Sequence, residues 1–171
     1  MNNRLEVLVD DDRWEKALDR TEETARKVFD TALQYLQQQK LGEEVGFDKP
    51  IVINLSLSNN EEVQRLNAEF RGKDKPTNVL SFANIDDDDF EMMLAECEEI
   101  ELGDIIVALE TLEDEAGQKK ISLYEHFAHL LVHGILHLFG YDHQDDEEAE
   151  EMESLEIKIL KLLDIENPYE E

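Results

Sequence analysis

"HGILHLFGYDH", His133 to His143, places three histidines within one short stretch. His133 and His137 are four apart among apolar neighbours. A helix therefore carries them about 40° apart around its axis and about 6 Å apart along it. Two imidazoles so placed converge on one ion. His143 comes six residues after His137, and on an uninterrupted helix it would point about 240° away. It reaches the same ion only if the chain reverses. Gly140 supplies that reversal, because glycine tolerates the left-handed conformation that ends helices. The alternative is three core histidines, each satisfied by its own polar partner. A helix stop set between the second and third favours a shared ion.

Three protein ligands leave a fourth position for water, which is the layout of a catalytic zinc site rather than a closed structural one. Imidazole also suits nickel, copper and iron. In zinc proteases the residue after the first histidine is a glutamate that acts as general base; here it is Gly134. Peptide hydrolysis by that route loses its proton acceptor. Upstream, "SLYE" (Ser122 to Glu125) is a capping box that opens the histidine helix. His126 and His129 share the stripe of His133. His126 is too far up the axis to share an ion with His137, and His129 is near enough to stand behind the ligands. For both, the simpler expectation is a polar face lining a cleft.

A second candidate lies in "FRGKDKPTNVLSF", Phe70 to Phe82. It carries Arg71, Lys73 and Lys75 with only Asp74 in opposition, in a chain with 44 acidic against 16 basic residues and a net charge of -28. So acidic a protein repels nucleic acid on average, and a polyanion must find a local basic patch. Arg71 can grip a phosphate through paired N–H groups while the lysines add point charge. The other reading is a solvated loop whose charges offset nearby carboxylates. Ser81 and Phe82 offer a hydroxyl contact and a stacking face for a base, or simply finish a strand.

Periodicity supplies the frame. Arg4–Asp10 reads as a strand. A long helix follows from a cap at Asp12, with Trp14, Leu18, Ala25, Val28, Ala32 and Leu36 on its stripe, and ends near Gly42. "EEVGFDKP" reads as a linker, and Ile51–Ser58 as a β-branched strand. "SNNE" (Ser58 to Glu61) reads as a capping box for a helix burying Val63, Leu66 and Phe70 and stopping at Gly72. Asn78–Phe82 and Gly103–Leu109 read as strands, the latter central. Between them lies an acidic run, Asn84 to Asp104, with ten acidic residues and no Lys or Arg. It reads as a solvated loop with a short helical piece; a metal site at Asp86 to Asp89 is the weaker reading, because those residues lack the alternation and the glycine of a calcium loop. The last helix, Asp146 to Leu163, carries Met152, Leu155, Ile159 and Leu162 as its stripe. This order implies an α+β domain around a small mixed sheet. The 171 residues fit one domain, 1–171. Cys97 is the sole cysteine, so no disulfide forms within the chain. No apolar run approaches membrane-spanning length and the N-terminus lacks a signal pattern, so a cytoplasmic location is expected.

Together "HGILHLFGYDH", "LNAEFRGKDKPTNVLSF" and "LGDIIVA" resemble the YbeY family of bacterial metal-dependent endoribonucleases, in order and over roughly residues 51–163. The resemblance implies a zincin-like fold with a four-stranded mixed sheet and a metal-binding helix and turn. It implies one zinc on His133, His137 and His143, with Arg71 as the cationic catalytic residue facing the metal cleft. It implies cleavage of single-stranded RNA, maturation of the 3′ end of small-subunit (16S) ribosomal RNA, and ribosome quality control. Small-subunit ribosomal proteins and a ribosome-assembly GTPase are the partners it implies. One departure stands out: the family usually reads Pro-Thr-Asp-Val-Leu-Ser-Phe, and this chain has Asn78 for the aspartate. Two rival readings are a zinc hydrolase of peptides or other substrates, and a ribosome-assembly factor whose zinc is only structural.

Overall fold

The computed structural model describes residues 3–41, 45, 48–142 and 144–169. Four strands form one sheet: β1 (Arg4–Val9), β2 (Ile51–Ser58), β3 (Val79–Ala83) and β4 (Ile100–Ala108). The order across it is β1-β2-β4-β3, with β1, β2 and β4 parallel and β3 antiparallel to β4 at one edge. The α+β class and the mixed four-stranded sheet are therefore as expected. Strands β2 and β4 are central and mostly buried, and the apolar Ile105–Ala108 end of β4 is buried throughout.

Seven α-helices are described: α1 (Arg13–Ala17), α2 (Thr21–Gln38), α3 (Asn60–Arg71), α4 (Phe90–Glu96), α5 (Leu109–Lys119), α6 (Leu123–Leu138) and α7 (Asp146–Leu162). Helix α6 is the hub. It packs against α2, α5, α7, β3 and β4, and Phe127, Leu131, Ile135 and Leu138 on it have no exposed surface. A helix apolar on most sides is stable only when surrounded in this way. The face of the sheet opposite α6 carries a smaller cluster of Val63, Leu80, Ile106 and Ala108 beneath α3.

Several expectations need correction. The first long helix is two. The chain leaves helical geometry at Leu18 and turns through a left-handed Arg20, while the Thr21 hydroxyl donates to the Leu18 carbonyl at 2.7 Å. The break seats Trp14 in the core, where its indole N–H donates to the Ser58 carbonyl at 2.8 Å and its ring meets Phe127 edge-on. Asp12 precedes α1 but makes no side-chain cap, and α2 ends at Gln38. Gly42 and much of the linker stretch lie outside the described residues. The α3 cap is Asn59, whose side chain accepts from the Glu62 amide; Ser58 is buried and donates instead to Asp10. Phe70 and Leu162 are each 60% exposed; Leu162 lies off the face of its helix that buries Ile159, Leu160 and Leu163. Helix α5 went unread, its short stripe of Leu109, Leu112 and Ala116 diluted by acids. The acidic run is a 3-10 turn at Asn84–Asp86, then α4 pinned by buried Phe90.

Candidate active site

Helix α6 is capped at both ends. The Ser122 side chain accepts from the Glu125 amide and the Glu125 carboxylate accepts from the Ser122 amide, the reciprocal box expected. At the other end Gly140 has φ 99°. Its amide donates to the His137 carbonyl, and the Tyr141 amide to the Leu136 carbonyl, each at 3.0 Å. This is the paired closure of a Schellman turn, which needs a residue free to take positive φ. The helix ends at Leu138, just after His137, and the helix stop inferred from Gly140 is present. His143 itself lies outside the described residues. Among the described residues no group of three or more metal-ligating side chains comes together.

His133 and His137 project from one face of α6 with their Nε2 atoms 3.1 Å apart and their rings nearly perpendicular. Two nitrogens sharing a tetrahedral ion at about 2.0–2.1 Å each stand slightly over 3 Å apart, so the pair fits a common metal. His133 is oriented from behind by Glu156 of α7. The carboxylate lies 3.2 Å from the Nδ1 of His133 and 2.9 Å from the Nε2 of His129, and the Tyr169 hydroxyl donates to both its oxygens. Glu156 has no exposed surface. Burial pushes its pKa up, but the hydrogen bonds from His129 and His133 outweigh it and hold the group at about 2. Burial and the neighbouring carboxylate push the Tyr169 hydroxyl well up, which keeps it a donor. His129 and His126 are both buried; His129 lines the cavity, as the reading of a polar face lining a cleft expected, and His126 does not. His126 pairs with Glu115 of α5 at 2.9 Å, and its pKa is lowered by burial against the pull of that carboxylate.

A cavity of about 920 Å³ opens over these histidines. Arg71, Lys73 and Lys75 also line it, together with Ser81 and Asn67. Arg71 leaves the end of α3, on the far side of the sheet, and crosses the edge strand β3. It donates to the Ser81 carbonyl at 2.8 Å and lies 5.0 Å over the Phe82 ring. Arginine stacked and hydrogen-bonded in this way is held in place without losing its charge. The loop bearing the lysines is tied to α3 by buried Asn67, whose amide donates to the Lys75 carbonyl. Asp74, the one acid in the loop, accepts from Gln64. Phe82 stands outside the cavity wall, under Arg71 and edge-on to Phe70. The structure thus brings His133, His137, Arg71, Lys73, Lys75 and Ser81 to one cavity and sets Phe82 behind them.

The sequence-based reading missed Glu156, Glu115 and Tyr169. The signal for Glu156 was available: it falls beside Leu155 and four residues from Met152, on the apolar stripe of α7, and a carboxylate there needs partners.

The family model described as Endoribonuclease YbeY matches residues 9–164. The chain belongs to the YbeY endoribonuclease family. An Endoribonuclease YbeY of Paramagnetospirillum magneticum is 49% identical over 72% of this chain and 74% of its own. One of Agrobacterium fabrum is 47% identical over 85% of this chain and 82% of its own. A third, of Colwellia psychrerythraea, is 50% identical over 68% and 71%. The solution structure of TM1509 from Thermotoga maritima matches with a TM-score of 0.57 at 20% identity, covering 98% of this chain and all of that one; the likeness is one of fold. Against the YbeY pattern, Asn78 keeps a structural role. Its side-chain oxygen accepts from the Val79 amide, and its amide group donates to Glu115 at 3.1 and 3.4 Å. No helix among the described residues is long and apolar enough to cross a membrane.

Proposed function

We propose that the chain acts as one metallohydrolase domain that cleaves single-stranded RNA at a zinc ion held by His133, His137 and His143, in maturation of the 3′ end of small-subunit ribosomal RNA and in ribosome quality control. The family is one of endoribonucleases, and this chain is an endoribonuclease with RNA as substrate. The observation that carries the site reading is the 3.1 Å separation of the His133 and His137 Nε2 atoms in a cavity that Arg71, Lys73 and Lys75 also line. Small-subunit ribosomal proteins, an assembly GTPase and a cytoplasmic setting belong to the same proposal.

When bound, the zinc supplies Lewis acidity to the phosphate and its nucleophile. The chain's own residues do the rest. Lys73 and Lys75 hold the RNA backbone by charge. Arg71 faces the scissile phosphate and stabilises the negative charge that grows there. Because the Ser81 carbonyl and the Phe82 ring already fix the guanidinium, little reorganisation is needed as that charge develops. Ser81, beneath Arg71, offers a hydroxyl to the same cavity, and Phe82 contributes by supporting the guanidinium.

Peptide hydrolysis is the less favoured reading for a steric reason. A β-carbon at Gly134 would stand 3.1 Å from Ile105 and 3.2 Å from the Ser81 hydroxyl oxygen, so a glutamate base there would be crowded and those side chains would have to give way by a few tenths of an ångström. The test pairs zinc content with cleavage of a single-stranded RNA oligonucleotide for wild type, His137→Ala and Arg71→Ala. The first variant is expected to lose both, the second to keep zinc and lose cleavage. Equal cleavage by all three would mean that the nuclease is a contaminant, and casein cleavage without RNA cleavage would favour the peptide hydrolase.

A further inference from the structure

We propose that Glu156, closed over by the Tyr169 hydroxyl, is a positioning residue for the metal centre: by accepting the Nδ1 proton of His133 it turns the Nε2 lone pair of that ring toward the cavity beside His137. The role rests on the reading of His133 and His137 as ligands given above, and it reaches beyond the ligand set to a residue on another helix and one in the C-terminal tail.

The inference follows from a donor count. An ionised carboxylate only accepts hydrogen bonds. Glu156 meets three neighbours: His129 Nε2 at 2.9 Å, His133 Nδ1 at 3.2 Å, and the Tyr169 hydroxyl at 3.0 and 3.1 Å. All three must donate. His129 therefore carries its proton on Nε2 and His133 on Nδ1. The rest of the His129 ring agrees, since its Nδ1 is buried without a hydrogen-bond partner, and a proton there would be a donor with no acceptor. In neutral His133 the remaining nitrogen, Nε2, is the lone-pair site, and it is the atom that stands 3.1 Å from His137 Nε2. One buried carboxylate on α7 thus selects the tautomer and pins the ring of a residue on α6. Tyr169, at the end of the described tail and edge-on to the His129 ring, satisfies the acceptor capacity the histidines leave. A histidine whose second nitrogen is held by a carboxylate is both oriented and made a better donor to a metal.

Two readouts test this apart from catalysis. The first is the tautomer of His133 in metal-free protein, read from the ring ¹⁵N shifts. The second is Zn²⁺ affinity, read by competition with a chromophoric chelator, for wild type, Glu156→Gln, Tyr169→Phe and His137→Ala. In wild type, His133 should carry its proton on Nδ1. Glu156→Gln should weaken zinc binding by about 10–100-fold and mix the tautomers, and Tyr169→Phe should shift affinity the same way but less. A wild-type His133 protonated on Nε2 overturns the role. So does wild-type affinity in folded Glu156→Gln when His137→Ala has lost its zinc. Wild-type affinity in His137→Ala overturns the ligand reading itself. If Glu156→Gln does not fold, the wild-type tautomer and Tyr169→Phe, which leaves the carboxylate in place, still decide.

Discussion

A β-carbon placed on Gly134 would stand 3.2 Å from the Ser81 hydroxyl oxygen, so the histidine helix and the edge strand pack closely at this point. That contact sets the distance from the α6 histidines to Arg71, which rests on the Ser81 carbonyl.

Gly134→Glu, which restores the spacing of a zinc protease, should therefore destabilise the protein rather than create a peptidase. The added side chain would be driven against Ile105 and Ser81, at a cost of about 1–3 kcal/mol for overpacking. Urea denaturation monitored by circular dichroism gives the change in midpoint, and a midpoint equal to wild type would show that α6 and β3 part easily.

Arg71→Lys should behave nearly as badly as Arg71→Ala. A lysine cannot stack on Phe82, hold the Ser81 carbonyl and present a planar fork to phosphate together. The rate constant for RNA cleavage should fall about 100-fold or more, with bound zinc unchanged. Full activity in the lysine variant would reduce the role of Arg71 to charge alone.

Asn78→Asp should cost on the order of 1 kcal/mol. It replaces a donor to Glu115 with a second carboxylate, and contacting groups couple at about this level. Adding Glu115→Gln should recover the loss, and a double-mutant cycle on denaturation free energies measures it. Additivity of the two changes would mean that the Asn78–Glu115 bond contributes nothing.

Acid should weaken the metal-free fold in two stages. The folded pKa of His126 is depressed below its usual value near 6.5 by burial. Its stabilisation is complete above that pH and is lost as pH falls below it. Glu156 is likewise depressed, from an unfolded value near 4.3 to about 2, so its contribution is present above about 4.3 and lost as pH drops toward 2. Melting temperature against pH should therefore flatten in the upper window for His126→Gln and in the lower for Glu156→Gln. A Glu156→Gln curve parallel to wild type between pH 4.5 and 2.5 would contradict the second assignment.

Features governed by neighbours in the chain could be read before any coordinates. The Ser122–Glu125 box, the β2 limits and the helix stop at Gly140 each depend on a few residues and their backbone preferences. So does the four-residue spacing that turns His133 and His137 toward one point. The break between α1 and α2 was not legible, because Leu18 and Ala25 fit one continuous stripe; the pull of Trp14 toward the Ser58 carbonyl, at 2.8 Å, comes from another strand. Phe70 and Leu162 match their helical stripes but are exposed; Met152, Glu156, Ile159, Leu160 and Leu163 form the buried face of α7.

The chain's order of residues thus settled its family, its sheet-forming runs and the helical pair of imidazoles, since these follow from local geometry and residue type. Only the packed molecule decided that Glu156 stands behind His133, that Arg71 reaches across β3 from the opposite side of the sheet, and that Gly134 is a point of contact. Those relations join residues 10 to 53 positions apart, and no periodicity along a chain encodes which face of one helix meets which face of another.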